Sequence, residues 1–108
     1  MTEYLLIESR GPFESNDLER YCGLAVDLRR AGHDVALFLV QNAVMAVRSG
    51  ARTSGLDQAI KADVNVLADD FSLRERGIPL ASVIPGVKPA PIDVVVERLA
   101  AGCKAIWH

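Results

Sequence analysis

The chain has 108 residues, half of them apolar, and its twelve basic and fourteen acidic side chains leave a net charge of −2. That length suits a single domain over residues 1–108 that buries roughly two-thirds of its unfolded surface in one core. The even charge, with no basic block, argues against direct nucleic-acid binding or attachment to an anionic membrane, and no apolar run approaches bilayer length.

Met1-Thr2-Glu3-Tyr4 lacks a charged leader and passes straight into Tyr4-Leu5-Leu6-Ile7-Glu8, which reads as a buried strand. A cytoplasmic setting follows as the expectation, with Cys22 and Cys103 as free thiols. After the loop from Ser9 to Ser15, Asn16 is placed to cap a helix. Its apolar residues Leu18, Tyr21, Cys22, Ala25 and Leu28 recur at three- and four-residue steps until Gly32. Val35 to Val40 is an uninterrupted apolar strand, the pattern of a sheet covered on both faces. Gln41-Asn42 closes it, and Asn42 can cap a helical segment from Ala43 to Arg48.

A polar loop over Ala51 to Gly55 leads to a short helix through Leu56, Ala59 and Ile60, with Ser54 and Asp57 loosely arranged as a capping pattern. Val64 to Ala68 is the third strand. It ends at two adjacent aspartates, either of which can cap the short helix that Gly77 terminates. Beyond it, Pro79, Pro85 and Gly86 confine a fourth strand to Leu80–Ile84, at an edge, with Pro89 and Pro91 marking its end. Pro91 opens a helix that presents Ile92, Val95, Val96 and Leu99 and stops at Gly102, and Lys104 to Trp107 is the fifth strand.

Alternating strands and helices predict an α/β domain with a mainly parallel sheet of about five strands and helices on both faces. Ligands collect where such strands end. Three of those ends carry Glu8-Ser9-Arg10, Gln41-Asn42 and Asp69-Asp70, so neighbouring strands would gather Arg10, Asn42, Asp69 and Asp70 in one crevice. The competing reading is that Asn42 and the aspartates only cap helices. Gly11 stands without the further glycines of a phosphate loop, and no serine has a Gly-x-Ser-x-Gly setting. His33 in a turn and His108 at the last position lack neighbours in sequence that would make a metal site, so none is expected.

Several stretches, in order along nearly the whole chain, resemble one family. They are Pro12 to Cys22, Val40-Gln41-Asn42-Ala43-Val44, Val66-Leu67-Ala68-Asp69-Asp70 with Arg76-Gly77-Ile78, Val83 to Val87, and Cys103-Lys104-Ala105-Ile106-Trp107. Together they are similar to the DsrE/DsrF/DsrH sulfur-relay proteins, known also through the Tus proteins of tRNA thiolation, and nearest the DsrH branch. The resemblance implies a DsrE-like three-layer α/β/α sandwich and trimers or hexamers. It also implies persulfide passed between sulfur-carrier proteins or related subunits, with no metal or organic cofactor.

At the position matching the sulfur-bearing cysteine of DsrE-type carriers this chain has Asp69, which cannot form a persulfide. Cys22 approximates the first-helix cysteine of DsrH-type members but stands one residue further on, about 100° around the helix. An accessory, protein-binding subunit is the leading expectation. The alternatives are a sulfurtransferase with Cys22 as nucleophile, activated by Arg20 or Arg10, and a small-ligand or anion sensor at the crevice. Cys22 also shares the apolar helix face, where a free cysteine acts as a small hydrophobe. Cys103, beside Gly102, is expected to be more exposed but remote from the crevice. The match assigns Asp69 an outward role and leaves the cap to Asp70.

Overall fold

The apolar runs Leu5–Ile7, Val35–Leu39 and Val66–Ala68 become inner strands whose neighbours continue their rows of side chains. The computed structural model describes residues 2–51 and 54–108. In chain order the elements are β1 (Glu3–Glu8), α1 (Asp17–Arg30), β2 (Asp34–Leu39), a 3-10 segment (Gln41–Val47), α2 (Ser54–Lys61) and β3 (Asn65–Asp69). There follow α3 (Asp70–Glu75), a 3-10 turn (Leu80–Ser82), β4 (Val87–Ala90), α4 (Asp93–Ala100) and β5 (Lys104–Trp107). The strands form one wholly parallel sheet in the order β4-β3-β2-β1-β5. One row across it reads Val87, Val66, Leu37, Leu6, Ile106.

This order decides where the helices go. The steps from β1 to β4 all run the same way, and right-handed crossovers stepping in one direction land on one face. Leu18, Cys22 and Ala25 of α1, Leu56 and Ala59 of α2 and Leu73 of α3 therefore share a core with Leu6, Leu37, Leu39 and Val66. Only the connection from β4 back across the sheet to β5 reverses direction and reaches the other face. There Val95 of α4 and Cys103 meet Leu5, Ile7, Ala36, Phe38 and Leu67. The result is the expected three-layer sandwich, with helices on its two faces in a ratio of three to one instead of alternating.

That asymmetry leaves apolar surface bare. Of the four residues expected to anchor α4, only Val95 is buried, while Ile92, Val96 and Leu99 are 47%, 66% and 50% exposed, and Trp107 on β5 is 64% exposed. One eight-residue helix cannot cover a five-stranded face and also bury its own flanks. Cys103, expected near the surface, is 7% exposed because it packs under α4.

The fourth strand lies later than proline placement suggested. Leu80–Ser82 is a 3-10 turn, Val83 makes a lone antiparallel bridge to Arg48, and β4 begins at Val87 and contains Pro89. β4 pairs only with β3, so its outer side has no ladder to lose, which is the setting in which a strand tolerates proline. Asn16 holds the N-cap position of α1 but makes no side-chain cap. The Ser15 hydroxyl instead accepts from Asp17 N–H at 3.2 Å. Part of the loop before α2, Arg52 and Thr53, lies outside the described residues. Among those described, no helix is long and apolar enough to cross a membrane.

Candidate functional site

Because β1, β2 and β3 are adjacent, the three strand ends singled out in the sequence do lie side by side. Their side chains nonetheless make separate arrangements along that edge.

At the end of β3, Asp69 keeps an extended backbone and is the N-cap of α3. Its Oδ2 accepts from Ser72 N–H at 3.1 Å and from the Ser72 hydroxyl at 2.6 Å, and both residues are buried. Gln41, at the end of β2, donates its backbone N–H to the same hydroxyl at 2.8 Å and does so at φ +51°, a left-handed conformation unusual for a residue with a side chain. The expected roles of the two aspartates are thus exchanged. Asp70 is the first helical residue, half-buried, with its carboxylate 4.0 Å from Arg74, and the two line a cleft with Pro89 of β4. A cap needs the extended backbone of the residue before the helix, and that residue is Asp69.

Asn42 does not cap the 3-10 segment. Its Nδ2 donates to Glu14 Oε1 at 2.6 Å, and its Oδ1 accepts from Arg76 Nε and Nη2 at 3.1 and 2.9 Å. Glu14 also accepts from Gly11 N–H, and a Cβ on Gly11 would stand 2.7 Å from the Asn42 carbonyl oxygen, so glycine is required where this loop closes on β2. The arginine that meets Asn42 is therefore Arg76. Arg10 turns toward α1, with Nη1 3.6 Å from Asp17.

Beside β1, at the point where the strand order reverses, lies a cluster that the sequence reading passed over. Glu8 is wholly buried. Its Oε1 accepts from Arg10 N–H at 2.9 Å, and its Oε2 has no hydrogen bond and lies 3.3 Å from His108 Nδ1. The other ring nitrogen of His108 is 3.5 Å from Asp17 Oδ2, and the Tyr21 ring is 5.4 Å away. Burial, then the Glu8 and Asp17 charges, pushes the Tyr21 hydroxyl above its ordinary pKa. The backbone of His108 is locked as well, donating to Ile7 and accepting from Ser9 N–H and hydroxyl. The signal in the sequence was a carboxylate closing an otherwise apolar strand, which once buried requires a partner.

The thiols are closed off. Cys22 is wholly buried, and burial, reinforced by Glu19 and Glu8, pushes its pKa up to about 12. Its lid is Gly55. Glu19 accepts from Gly55 N–H with both carboxylate oxygens, at 3.3 and 3.1 Å, and a Cβ at Gly55 would lie 2.9 Å from Cys22 Cβ. Burial also raises the Cys103 thiol; Arg98 opposes that shift and Glu3 adds to it. Among the described residues no three His, Cys, Asp or Glu side chains are grouped to hold a metal ion.

A cleft of about 320 Å³ opens over Asp69. Gln41, Asp69 and Ser72 line it with Phe71, Ile92 and Trp107, and Glu75 adds a second carboxylate. A wider concavity of about 730 Å³ lies between the C-terminal ends of α1 and α2, where Arg29, Arg30 and Lys61 face it beside Asp63. Cations there suit the negative ends of two helices.

No protein-family model and no curated protein matches the sequence. Solved structures do resemble this one. The ychN protein from E. coli superposes with a TM-score of 0.90 at 22% identity over the full length of both chains. MTH1491 from Methanobacterium thermoautotrophicum, a protein of unknown function, gives 0.80 at 14% identity, again over both full lengths. BT1422 from Bacteroides thetaiotaomicron, a conserved protein of unknown function, gives 0.76 at 15% identity over 98% of this chain and 95% of the other. At these identities the likeness is one of fold.

Proposed function

We propose that this chain is a sulfur-relay protein of the DsrE/DsrF/DsrH kind that serves as an accessory, protein-binding subunit, with the carrier thiol held by another protein. Two independent lines support the family: the stretches of sequence from Pro12 to Trp107 that resemble it, and the DsrE/DsrF-like fold shared with ychN over the whole chain. The DsrH branch is the nearest within it. The single observation that carries the accessory role is Asp69. At the place of the carrier cysteine stands a carboxylate committed to two hydrogen bonds from Ser72, under a cleft with apolar walls.

A carrier needs a thiolate within reach of a donor. Cys22 and Cys103 are both buried, and the thiols of both are shifted toward the protonated form, which weighs against the sulfurtransferase reading. The exposed residues of α4 and Trp107 offer a surface for sulfur-carrier proteins or for assembly into trimers or hexamers. Two unpaired thiols fit the reducing cytoplasm.

The test is sulfur loading followed by intact mass. A small persulfide R–S–SH gives its terminal sulfur to a cysteine thiolate, leaving Cys–S–SH and R–S⁻. The native protein is expected to gain no sulfur, and the Asp69→Cys variant one. Loading of native Cys22 would overturn the accessory reading, and a folded variant that takes no sulfur would remove the relay from this chain's ancestry of function.

A further inference from the structure

We infer that α1 carries a two-fold contact with a second copy of this chain, in which the outward faces of two α1 helices pack antiparallel and Arg20 of each copy meets Asp27 of the other. The inference rests on the reading that copies of the chain assemble, and it decides between the trimer and the hexamer.

Helical geometry sets the face. At about 100° per residue, Arg20, Gly23, Leu24 and Asp27 fall on the side of α1 away from Leu18, Cys22, Ala25 and Val26, which are buried in the core. All four are exposed, and Leu24 leaves a branched apolar side chain in the open. Gly23 is the anomaly. Glycine inside a helix is less stable than alanine, so it needs a reason. Five of the eight glycines have a left-handed φ, and Gly11 and Gly55 each have a neighbour within 3 Å of where a Cβ would stand. Gly23 has neither: its φ is not left-handed, and a Cβ there would meet nothing within 4 Å. The space above it has no use within the described chain and suits the close approach of a helix from outside.

The charges say which helix. Arg20 and Asp27 stand equally far, about 5 Å along the axis, from a point midway between Gly23 and Leu24. A two-fold axis through that point brings each arginine level with the aspartate of the other copy and puts the closest approach at glycine, so the face is its own complement. Both side chains are free to pair. Arg20 is 79% exposed, with Asp17 at 4.0 Å as its carboxylate neighbour, and Asp27 has no ion pair among the described residues.

α1 and α4 lie on opposite faces of the sheet, so this contact leaves the bare surface of α4 available. A three-fold contact through α4 and a two-fold contact through α1 close into a hexamer, two trimers joined by three α1 pairs. Three such pairs form together, and each can therefore be small.

Sedimentation velocity at micromolar concentration and low salt tests the contact. The native chain is expected to be a hexamer. Arg20→Asp sets like charges against each other and should leave trimers of half the mass, weakening the two-fold contact about tenfold or more. Arg20→Asp with Asp27→Arg should restore the hexamer, because the swap rebuilds both pairs in reverse. Gly23→Gln fills the space and should also give trimers, while its resistance to urea stays at least native, which separates loss of assembly from loss of fold. A native dimer that Arg20→Asp splits would keep this contact and remove the three-fold one. A native trimer would overturn the inference and leave assembly through α4 standing, and a native monomer would remove both. A hexamer unchanged by Arg20→Asp and Gly23→Gln would overturn it as well, as would a folded double variant that stays trimeric. Sulfur loading of Asp69→Cys reads the relay function separately, so either idea can fail while the other stands.

Discussion

Ser72 is bound to Asp69 twice through a single oxygen, its N–H at 3.1 Å and its hydroxyl at 2.6 Å both reaching Oδ2. The same hydroxyl receives the Gln41 N–H, so one buried serine joins the ends of β2 and β3 and holds Gln41 in its left-handed conformation.

Asp69→Ala should therefore destabilise the fold by about 1–2 kcal/mol, because it removes the cap of α3 and leaves a buried hydroxyl without its acceptor. Asp70→Ala should change stability by no more than about 0.5 kcal/mol, since its ion pair with Arg74 is long and partly exposed. Urea denaturation of the two variants checks the order, and a reversed order would restore the cap to Asp70.

The Cys22 thiol should resist maleimide in the native protein and react once it is unfolded. Its raised pKa also sets the sign of a pH effect. Burial holds this proton on the folded protein up to about pH 12, whereas the unfolded thiol ionises near its ordinary value of 9.0. Between those values the unfolded state holds fewer protons, so this group's contribution is complete below about pH 9 and declines as pH rises toward 12. Denaturation midpoints of native protein and Cys22→Ala should draw together over that range.

Removing His108 should show what Glu8 needs. His108→Ala leaves a wholly buried carboxylate without the imidazole that stands 3.3 Å from its Oε2 and should cost about 1–3 kcal/mol. Adding Glu8→Gln to that variant should recover part of the loss, since a neutral amide is less costly to bury than a charge. A denaturation series over the four proteins of the cycle measures the coupling, and additivity would mean that the ring and the carboxylate do not interact.

Light scattering at micromolar concentration should give the mass of a trimer or hexamer, and Val96→Glu with Leu99→Glu should lower it if α4 forms the contact. A monomeric native protein would contradict assembly.

What the sequence made legible was set by how local each cause is. β1, β2 and β3 announce themselves because strands buried on both faces must be apolar throughout, and Leu5 to Ile7, Val35 to Val40 and Val66 to Ala68 are. β4 is different. Whether Pro89 breaks a strand depends on whether a neighbour lies on its outer side, and that is a property of the sheet order. The aspartate pair carries the same lesson: the residue types fit a cap at either position, and only the backbone at Asp69 distinguishes them. Cys22 was legible as a core residue from its helix face. Its lid, Gly55, comes from α2 and leaves no trace in the spacing of α1. Glu8 and His108 meet across a separation of 100 residues, beyond the reach of any short motif.

The strand order also bears on how the chain is made. β1 is synthesised first, and β2 can dock on one of its edges early, but its other edge belongs to β5. Until that strand emerges, a nascent chain carries an open row of backbone donors and acceptors along its earliest element, the kind of edge on which other chains can add. Contacts this distant in sequence also form slowly. A nascent chain that has emerged from the ribosome only as far as α4 holds a nearly complete domain with that edge of β1 uncovered, so the period of greatest risk of misassociation comes late, when most of the core already exists.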